Sequence, residues 1–150
     1  MIGKLINKDT FLDEVVCYSW EELVDIVGAP LLALNYISRA YLESVKETVH
    51  RFGGYMVLVD DVVFYHGRPE AGVNQIAMSL ALLREPVYLA EKRIKAAFVF
   101  AAVDHDSHIK LLQELAMLLQ DEEFLFLLRN HGDRDQIFRK LKEVERSNEI

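Results

Sequence analysis

Cysteine is almost absent from this chain, which excludes a fold held together by disulfide bonds. Its 150 residues include one cysteine, Cys17, and a single thiol cannot form an internal disulfide. The chain also lacks an N-terminal apolar segment of the signal-peptide type and any apolar run long enough to span a membrane. These absences predict a reducing, cytoplasmic location, in which Cys17 is a buried structural thiol rather than a nucleophile.

Positive charge is also scarce relative to negative charge. The chain has 17 Lys and Arg residues against 24 Asp and Glu residues, with a formal net charge of -7. This balance argues against broad nucleic-acid binding and against attachment to anionic membranes, while it permits docking to a basic protein partner. The sequence contains no internal repeat, linker or low-complexity tract, and 51% of it is hydrophobic. We therefore expect residues 1–150 to form a single domain with a sizeable core.

One stretch, residues 62–73, is typical of a strand that ends on a histidine. Its first four residues are β-branched or aromatic and favour an extended strand, and Gly67 and Pro69 break the strand directly after His66. This pattern places an imidazole at the rim of a sheet, with the guanidinium of Arg68 two residues further on. Arg68 can hold a phosphate or a carboxylate. The alternative interpretation is an ordinary loop histidine beside a solvated arginine.

The first half of the chain predicts one strand and two helices. Residues 11–18 contain a short apolar run that favours a strand, and Ser19 with Glu22 forms a capping box that starts the first helix. The second helix is predicted to begin at Ser38 and to end before Gly53. Its outer face carries charged residues that are most simply interpreted as solvated.

The second half of the chain predicts most of the sheet. Residues 55–59 and 62–65 favour a hairpin or one bent strand, and residues 76–83 alternate large and small apolar side chains as a strand does. A charged turn is expected at Glu91-Lys92-Arg93, after Glu85-Pro86. Residues 95–103 are apolar on both faces, which predicts the central strand of the sheet.

A polar segment follows the central strand directly and leads into a helix with a broad apolar stripe. Asp104 or Asp106 can cap this helix and so places His108 in its first turn, where the helix dipole opposes protonation. We therefore expect a neutral His108 that donates one N–H. The order of strand, acidic cap and helix is typical of an α/β fold, in which functional groups gather where strands end and helices begin.

This arrangement predicts that the two histidines meet. His66 ends one strand, and His108 follows another. If they meet, His66 can accept a phosphoryl group on one ring nitrogen, because a neutral imidazole is nucleophilic near neutral pH. His108, Arg68 and the first amides of the helix would then surround the added negative charge.

A metal site is a second interpretation of the same region. His66, His105, His108 and Asp104 are suitable ligand types. However, two histidines three residues apart with no cysteine partner form a weak pattern, and we therefore predict no metal and no cofactor.

Two separated motifs in this chain resemble a known family. The first motif comprises His66, Arg68, Pro69, Glu70, Gly72 and Val73, and the second comprises Asp104 and residues 108–112. In this order they resemble the IIA component of the bacterial phosphotransferase system, mannitol/fructose type. Residues 52–55 and 66–70 are most similar to the ascorbate-type branch of that family. The resemblance covers nearly the whole chain.

The resemblance implies a fold, an activity and a site. Members of the family have a three-layer α/β/α fold with a central mixed sheet, here of about four or five strands. They are cytoplasmic phosphotransferases that accept a phosphoryl group from the phosphocarrier protein HPr on a histidine and pass it to a IIB component for sugar uptake. By resemblance, His66 is the phosphorylated residue, His108 is its supporting donor and Arg68 binds the phosphate. The transported sugar is ascorbate in one branch of the family. The resemblance implies that this protein contacts the membrane permease for the sugar only indirectly.

Two further expectations concern the role and the assembly of the chain. Tyr65 stands where the family usually has a proline, and this departure leaves open a regulatory IIA-like module that senses phosphorylation state, or a degenerate homologue that transfers nothing. Phe124, Phe126 and Leu127 crowd one short segment with apolar side chains, which permits a homodimer.

Overall fold

The computed structural model describes residues 1–148, and the side chains of Pro69, His105 and Ser107 lie outside this description. Within the described residues, five strands form one mixed sheet. The strands are β1 (Phe11–Val15), β2 (Val57–Val59), β3 (Asp61–His66), β4 (Ala77–Leu89) and β5 (Lys92–Ala101).

The strands lie in the order β1-β4-β5-β3-β2, so β5 is central, as its apolar sequence on both faces predicts. β5 pairs in parallel with β3 and in antiparallel with β4, whereas β1 pairs in parallel with β4. β2 and β3 form the antiparallel hairpin that was one of the two predicted arrangements. The parallel pairing of β3 with β5 brings their carboxyl ends to the same edge of the sheet.

Helices cover both faces of the sheet, and this confirms the predicted three-layer α/β/α fold. α2 and α3 pack on one face, while α1, α4, α5 and α6 pack on the other. The helices are α1 (Ile2–Leu5), α2 (Trp20–Ala33), α3 (Arg39–Phe52), α4 (His105–Leu118), α5 (Glu122–Arg129) and α6 (Arg134–Asn148).

The alternating sequence of β4 explains why helices pack closely on one face of the sheet. Met78, Leu80 and Leu82 fill the core beneath α4, α5 and α6, whereas Ala77 and Ala81 face α2 and α3. Small side chains let the backbone of α2 approach the strand. The hydroxyl of Ser79 consequently donates a hydrogen bond of 2.7 Å to the carbonyl of Val27 in α2.

The strand predicted over residues 76–83 is longer in the structure, and the predicted charged turn follows it at Ala90 and Glu91. β4 continues through Pro86 to Leu89, with a shift of register between Leu82 and Val87. A proline is tolerated in a strand at such an irregularity. The ammonium of Lys95 donates hydrogen bonds to the carbonyls of Leu83 at 3.0 Å and Arg84 at 3.2 Å. It thereby satisfies carbonyl oxygens that lie at the irregularity in the strand pairing.

The helix boundaries follow the capping signals in the sequence. The hydroxyl of Ser19 accepts a hydrogen bond from the amide of Glu22 at the start of α2, and Gly53 follows the end of α3 with a φ of 58°. In α5, the side chain of Asp121 caps the first turn. Phe124 is buried beside α6, whereas Phe126 is 64% exposed, so only part of the crowded apolar segment faces the surface.

Candidate functional site

His66 is the last residue of β3 and lies half-buried at the edge where β3 and β5 end. It pairs with Phe100 of β5 and shares the sheet face of Phe64, two residues earlier. Its ring Nδ1 lies 3.1 Å from the carbonyl oxygen of Phe64. Because a carbonyl oxygen only accepts hydrogen bonds, Nδ1 carries the hydrogen, and the lone pair of the neutral ring resides on Nε2.

Two phenylalanine rings form a common apolar floor under the two histidines. The ring of His66 lies 5.8 Å from that of Phe64, which stacks on Phe100 at 5.4 Å. The ring of His108 in turn lies 5.2 Å from Phe100. The structure thus places both histidines on one sheet face and at one edge. His108 is half-buried in the first turn of α4, where the helix dipole favours negative charge.

The hydroxyl of Tyr41 fastens the backbone beyond His66. It donates to the carbonyl of Phe100 at 2.5 Å and accepts from the amide of Gly67 at 3.0 Å. Burial raises the pKa of Tyr41 to about 12, although its hydrogen bond from Gly67 acts in the opposite direction. The hydroxyl therefore stays protonated and bridges the ends of β3 and β5.

A serine one helical turn later extends this attachment. The hydroxyl of Ser44 accepts from the amide of Arg68 at 3.2 Å and donates to the carbonyl of Tyr41 at 2.7 Å. The turn approaches α3 so closely that a Cβ on Gly67 would lie 2.2 Å from the Ser44 hydroxyl and 3.0 Å from the amide nitrogen of Val45. Glycine at position 67 is therefore required by the close approach of two backbones.

The far end of the same turn is attached to the start of α3. The amide of Ser38 donates to the carbonyl of Gly72 at 2.8 Å, and Ile37 forms an isolated antiparallel bridge with Val73. Gly72 has a φ of 118°, and a Cβ there would collide with Ser38. Both ends of the segment that carries Arg68 are thus held by one helix.

The guanidinium of Arg68 is paired with two carboxylates. Its Nη1 lies 2.8 Å from Oε2 of Glu47 on α3, and its Nε lies 3.7 Å from Oε1 of Glu70. The hydrogen bond that Arg68 donates to Glu47 is the main reason that the pKa of Arg68 is raised above its usual range. The sequence-predicted phosphate ligand is therefore fully charged, and its partners in this structure are acidic side chains.

A groove of about 310 Å³ runs beside this turn, along the second half of α3. Its lining contains the cations of Arg51 and Arg68 and the half-exposed ring of Phe52. The remaining lining residues are Glu47, Thr48 and Gly67. The groove borders the flank of the turn that follows His66.

Three features considered in the sequence can be compared with the described residues: the candidate metal ligands, membrane-spanning segments and Cys17. Among the side chains that the structure describes, no three His, Cys, Asp or Glu residues gather as a metal site would require, and the side chain of His105 lies outside that description. No helix within residues 1–148 has the length and apolar character needed to cross a bilayer. Cys17 is buried, and burial raises the pKa of its thiol to about 11, as expected for a structural cysteine.

Sequence analysis missed the contribution of α3 to this site. Tyr41, Ser44 and Glu47 follow one another at three-residue spacing and contact the turn after His66. Glu47 lies on the outer face that was predicted to be solvated, and its side chain is 64% exposed, but it also contacts Arg68. Their spacing places the three residues on one face of α3, but it does not indicate which part of the chain that face contacts.

The chain matches a family model and proteins of that family over most of its length. Residues 4–144 match the model described as "Phosphoenolpyruvate-dependent sugar phosphotransferase system, EIIA 2". The mannitol-specific cryptic phosphotransferase enzyme IIA component of Escherichia coli is 37% identical over 120 residues, which cover 79% of this chain and 82% of that protein. The ascorbate-specific EIIA component of the same species is 30% identical over 115 residues, which cover 74% and 75%.

Solved structures agree with the fold. The solution structure of the mannitol-specific cryptic enzyme IIA from Escherichia coli superposes with a TM-score of 0.81 at 30% identity, covering 95% of this chain and 96% of that one. A complex of enzyme IIAMTL with phosphorylated enzyme IIBMTL from Escherichia coli superposes with a TM-score of 0.79 at 17% identity, covering 93% and 99%. The chain belongs to the enzyme IIA family of the phosphoenolpyruvate-dependent sugar phosphotransferase system.

Proposed function

We propose that this protein is a cytoplasmic phosphocarrier that accepts a phosphoryl group on Nε2 of His66 and passes it to a partner protein. The observation that carries this proposal is the hydrogen bond between Nδ1 of His66 and the carbonyl of Phe64. It fixes the tautomer and leaves the nucleophilic nitrogen at the open edge of the sheet. Membership in the enzyme IIA family supports phosphoryl transfer as the chemistry of this nitrogen.

In the transfer step, a P–N bond of the donor phosphohistidine breaks as a P–Nε2 bond forms on His66. The electron pair of the broken bond stays on the donor nitrogen, and the donor ring leaves as a neutral imidazole when its other nitrogen carries a proton. No proton has to move to or from His66. The ring of His66 gains positive charge, and the carbonyl of Phe64 stabilises that charge through the Nδ1–H.

Three groups are proposed to surround the transferred phosphoryl oxygens. His108 supplies an N–H donor from the first turn of α4, and the first amides of that helix add the positive end of its dipole. Arg68 supplies a full positive charge. Such preorganised donors stabilise the charge that develops on the oxygens during transfer.

The proposed donor is HPr, and the proposed acceptor is a IIB component. The solved complex of a IIA protein with its phosphorylated IIB partner supports the acceptor, because that IIA protein shares the present fold. The relatives are named for mannitol and for ascorbate, which fits a protein that contacts only other proteins and a phosphoryl group. In this proposal residues 1–150 act as one domain. A homodimer stays a prediction, and of Phe124, Phe126 and Leu127 it is Phe126 that is strongly exposed and could contact a second copy.

The direct test is the intact mass after incubation with phosphoenolpyruvate, enzyme I and HPr. We expect the addition of one phosphoryl group in an acid-labile, base-stable linkage, and its complete loss in His66→Ala. His50→Ala is a matched control, because His50 is an exposed histidine on α3 whose ring contacts Trp20. Labelling that survives His66→Ala would contradict the assignment.

A second experiment separates the roles of the two histidines. His108→Ala removes one donor, and we expect phosphorylation to slow by roughly a hundredfold to a thousandfold, the usual effect of losing a preorganised donor. His108→Gln keeps an N–H and should recover part of the rate. Wild-type rates in His108→Ala, or peptide mapping that finds the phosphoryl group on residue 108, would refute this division of roles.

A further inference from the structure

The guanidinium of Arg68 contacts two carboxylates, and the proposed phosphoryl chemistry does not explain the role of these contacts. Its Nη1 is held by Glu47 at 2.8 Å, and Glu70 approaches its Nε at 3.7 Å. The five N–H donors of a guanidinium lie in one rigid plane, so a turn of that plane toward a phosphoryl group on His66 weakens its contact with Glu47. Glu47 is the stronger competitor, because it makes the only one of these two contacts that has hydrogen-bond length.

The exchange requires movement of the side chain alone. The backbone of the turn is fixed, because Tyr41 holds the amide of Gly67 and Ser44 holds the amide of Arg68. Two residues of chain span at most about 7 Å, so the Cα of Arg68 stays near that of His66 throughout. The side chain of Arg68 is 52% exposed and that of Glu47 is 64% exposed, so water screens their attraction.

The consequence for the phosphorylated state is electrostatic. When the guanidinium turns to the phosphoryl group, the carboxylate of Glu47 loses its partner and remains as an uncompensated negative charge on the adjacent helix. We propose that Glu47 is a positioning residue that retains Arg68 in the unphosphorylated protein and thereby disfavours phosphorylated His66, which keeps the phosphoryl group transferable. This inference rests on the proposed function, since it concerns the stability of phosphorylated His66.

The same helix provides a matched control. Glu43 lies one helical turn before Glu47, and its side chain is 58% exposed. Its carboxylate lies 3.5 Å from the ammonium of Lys46, on a different cation from the one that Glu47 holds. Glu43→Gln and Glu47→Gln remove the same charge from the same element, so any difference between them reports the contact with Arg68.

The experiment measures the equilibrium constant for phosphoryl exchange between HPr and this protein by intact mass. We expect Glu47→Gln to raise the equilibrium constant for phosphorylation of this protein about three- to fivefold. This change corresponds to the upper range for an exposed ion pair. Glu43→Gln should match the wild type. In an Arg68→Ala background, Glu47→Gln should have no further effect, because the retained cation is gone.

A second readout follows the guanidinium directly. In a ¹H–¹⁵N spectrum, the Nε–H signal of Arg68 should shift on phosphorylation of the wild type, and Glu47→Gln should shift it already in the unphosphorylated protein. Equal equilibrium constants for Glu47→Gln and Glu43→Gln, or an effect of Glu47→Gln that persists with Arg68→Ala, would overturn the role of Glu47. A wild-type protein that accepts no phosphoryl group from HPr would overturn the proposed function itself, which is a different outcome.

Discussion

The two ends of β3 each carry an arginine–carboxylate contact, and the two contacts differ in kind. At the start of the strand, Asp61 accepts from Nε and Nη2 of Arg93 at 2.6 and 3.1 Å, and Nε of Arg129 lies 3.8 Å from the same carboxylate. The side chain of Asp61 is 12% exposed. At the other end, beyond His66, Arg68 meets Glu47 through one hydrogen-bonded contact between two largely exposed groups.

This difference shows which contact supports the fold and which can change partners. A bidentate pair around a shielded carboxylate is geometrically fixed, and it links the start of β3 to β5 and α5. A single contact between exposed side chains is screened by water and is worth little to stability. Rigidity beyond His66 comes instead from uncharged hydrogen bonds, chiefly those of Tyr41.

The largest effect is expected when those uncharged bonds are broken. Tyr41→Phe leaves the carbonyl of Phe100 and the amide of Gly67 without the bridging hydroxyl, and we expect a loss of about 1–3 kcal/mol in the free energy of unfolding. Denaturant unfolding measures this loss, and phosphoryl acceptance should slow in the same variant. Tyr55→Phe is the control, because Tyr55 is strongly exposed. A variant Tyr41→Phe with unchanged stability would show that the turn is held in another way.

An intermediate effect is expected at the start of β3. Asp61→Asn keeps the shape of the side chain but removes the charge that two arginines share, and we expect a loss of about 1–2 kcal/mol, since Arg93 is half exposed. Thermal or denaturant unfolding measures it, with Glu91→Gln in the nearby turn as the charge-matched control. Phosphoryl acceptance should be unaffected, and a slow transfer rate in Asp61→Asn would remove the distinction between the two ends.

The smallest effect on stability is expected for Glu47→Gln. Because its contact is exposed, we expect a change within about 0.5 kcal/mol in the free energy of unfolding. High salt should weaken the wild-type contact between Glu47 and Arg68 and leave the Asp61 pair largely intact. Unfolding measured in high salt tests this difference. A loss comparable to that of Asp61→Asn would mean that Glu47 supports the fold, and its influence on phosphoryl equilibrium would then need a structural explanation.

The sequence predicts local features of this molecule well, because those features depend on neighbouring residues. The apolar run of β5 predicts a central strand, and Ser19 with Glu22 predicts the start of α2. The strand predicted over residues 76–83 ended too early, because β4 continues through Pro86 to Leu89, where the ammonium of Lys95 from the paired strand binds carbonyls beside the irregularity. The sequence around Pro86 does not indicate that this ammonium binds nearby, because the contact exists only once β4 and β5 are paired.

The candidate site also combines features that local sequence predicts with features that depend on the folded structure. The position of His66 at a strand end can be predicted, because strand formers precede it and Gly67 ends the strand. The tautomer of His66 depends on the carbonyl of Phe64, whose orientation appears only in the folded strand. The contact of Glu47 with Arg68 joins residues 21 positions apart, and an exposed glutamate on a helix gives no local sign of such a partner.

The bridge made by Tyr41 has a consequence for the folding pathway. It joins residues that are 26 and 59 positions apart in sequence, at the ends of β3 and β5. Contacts of such long range form late relative to local helices and hairpins. In the proposed function, phosphoryl acceptance by His66 therefore depends on a sheet in which β3 and β5 are already joined by the Tyr41 hydroxyl.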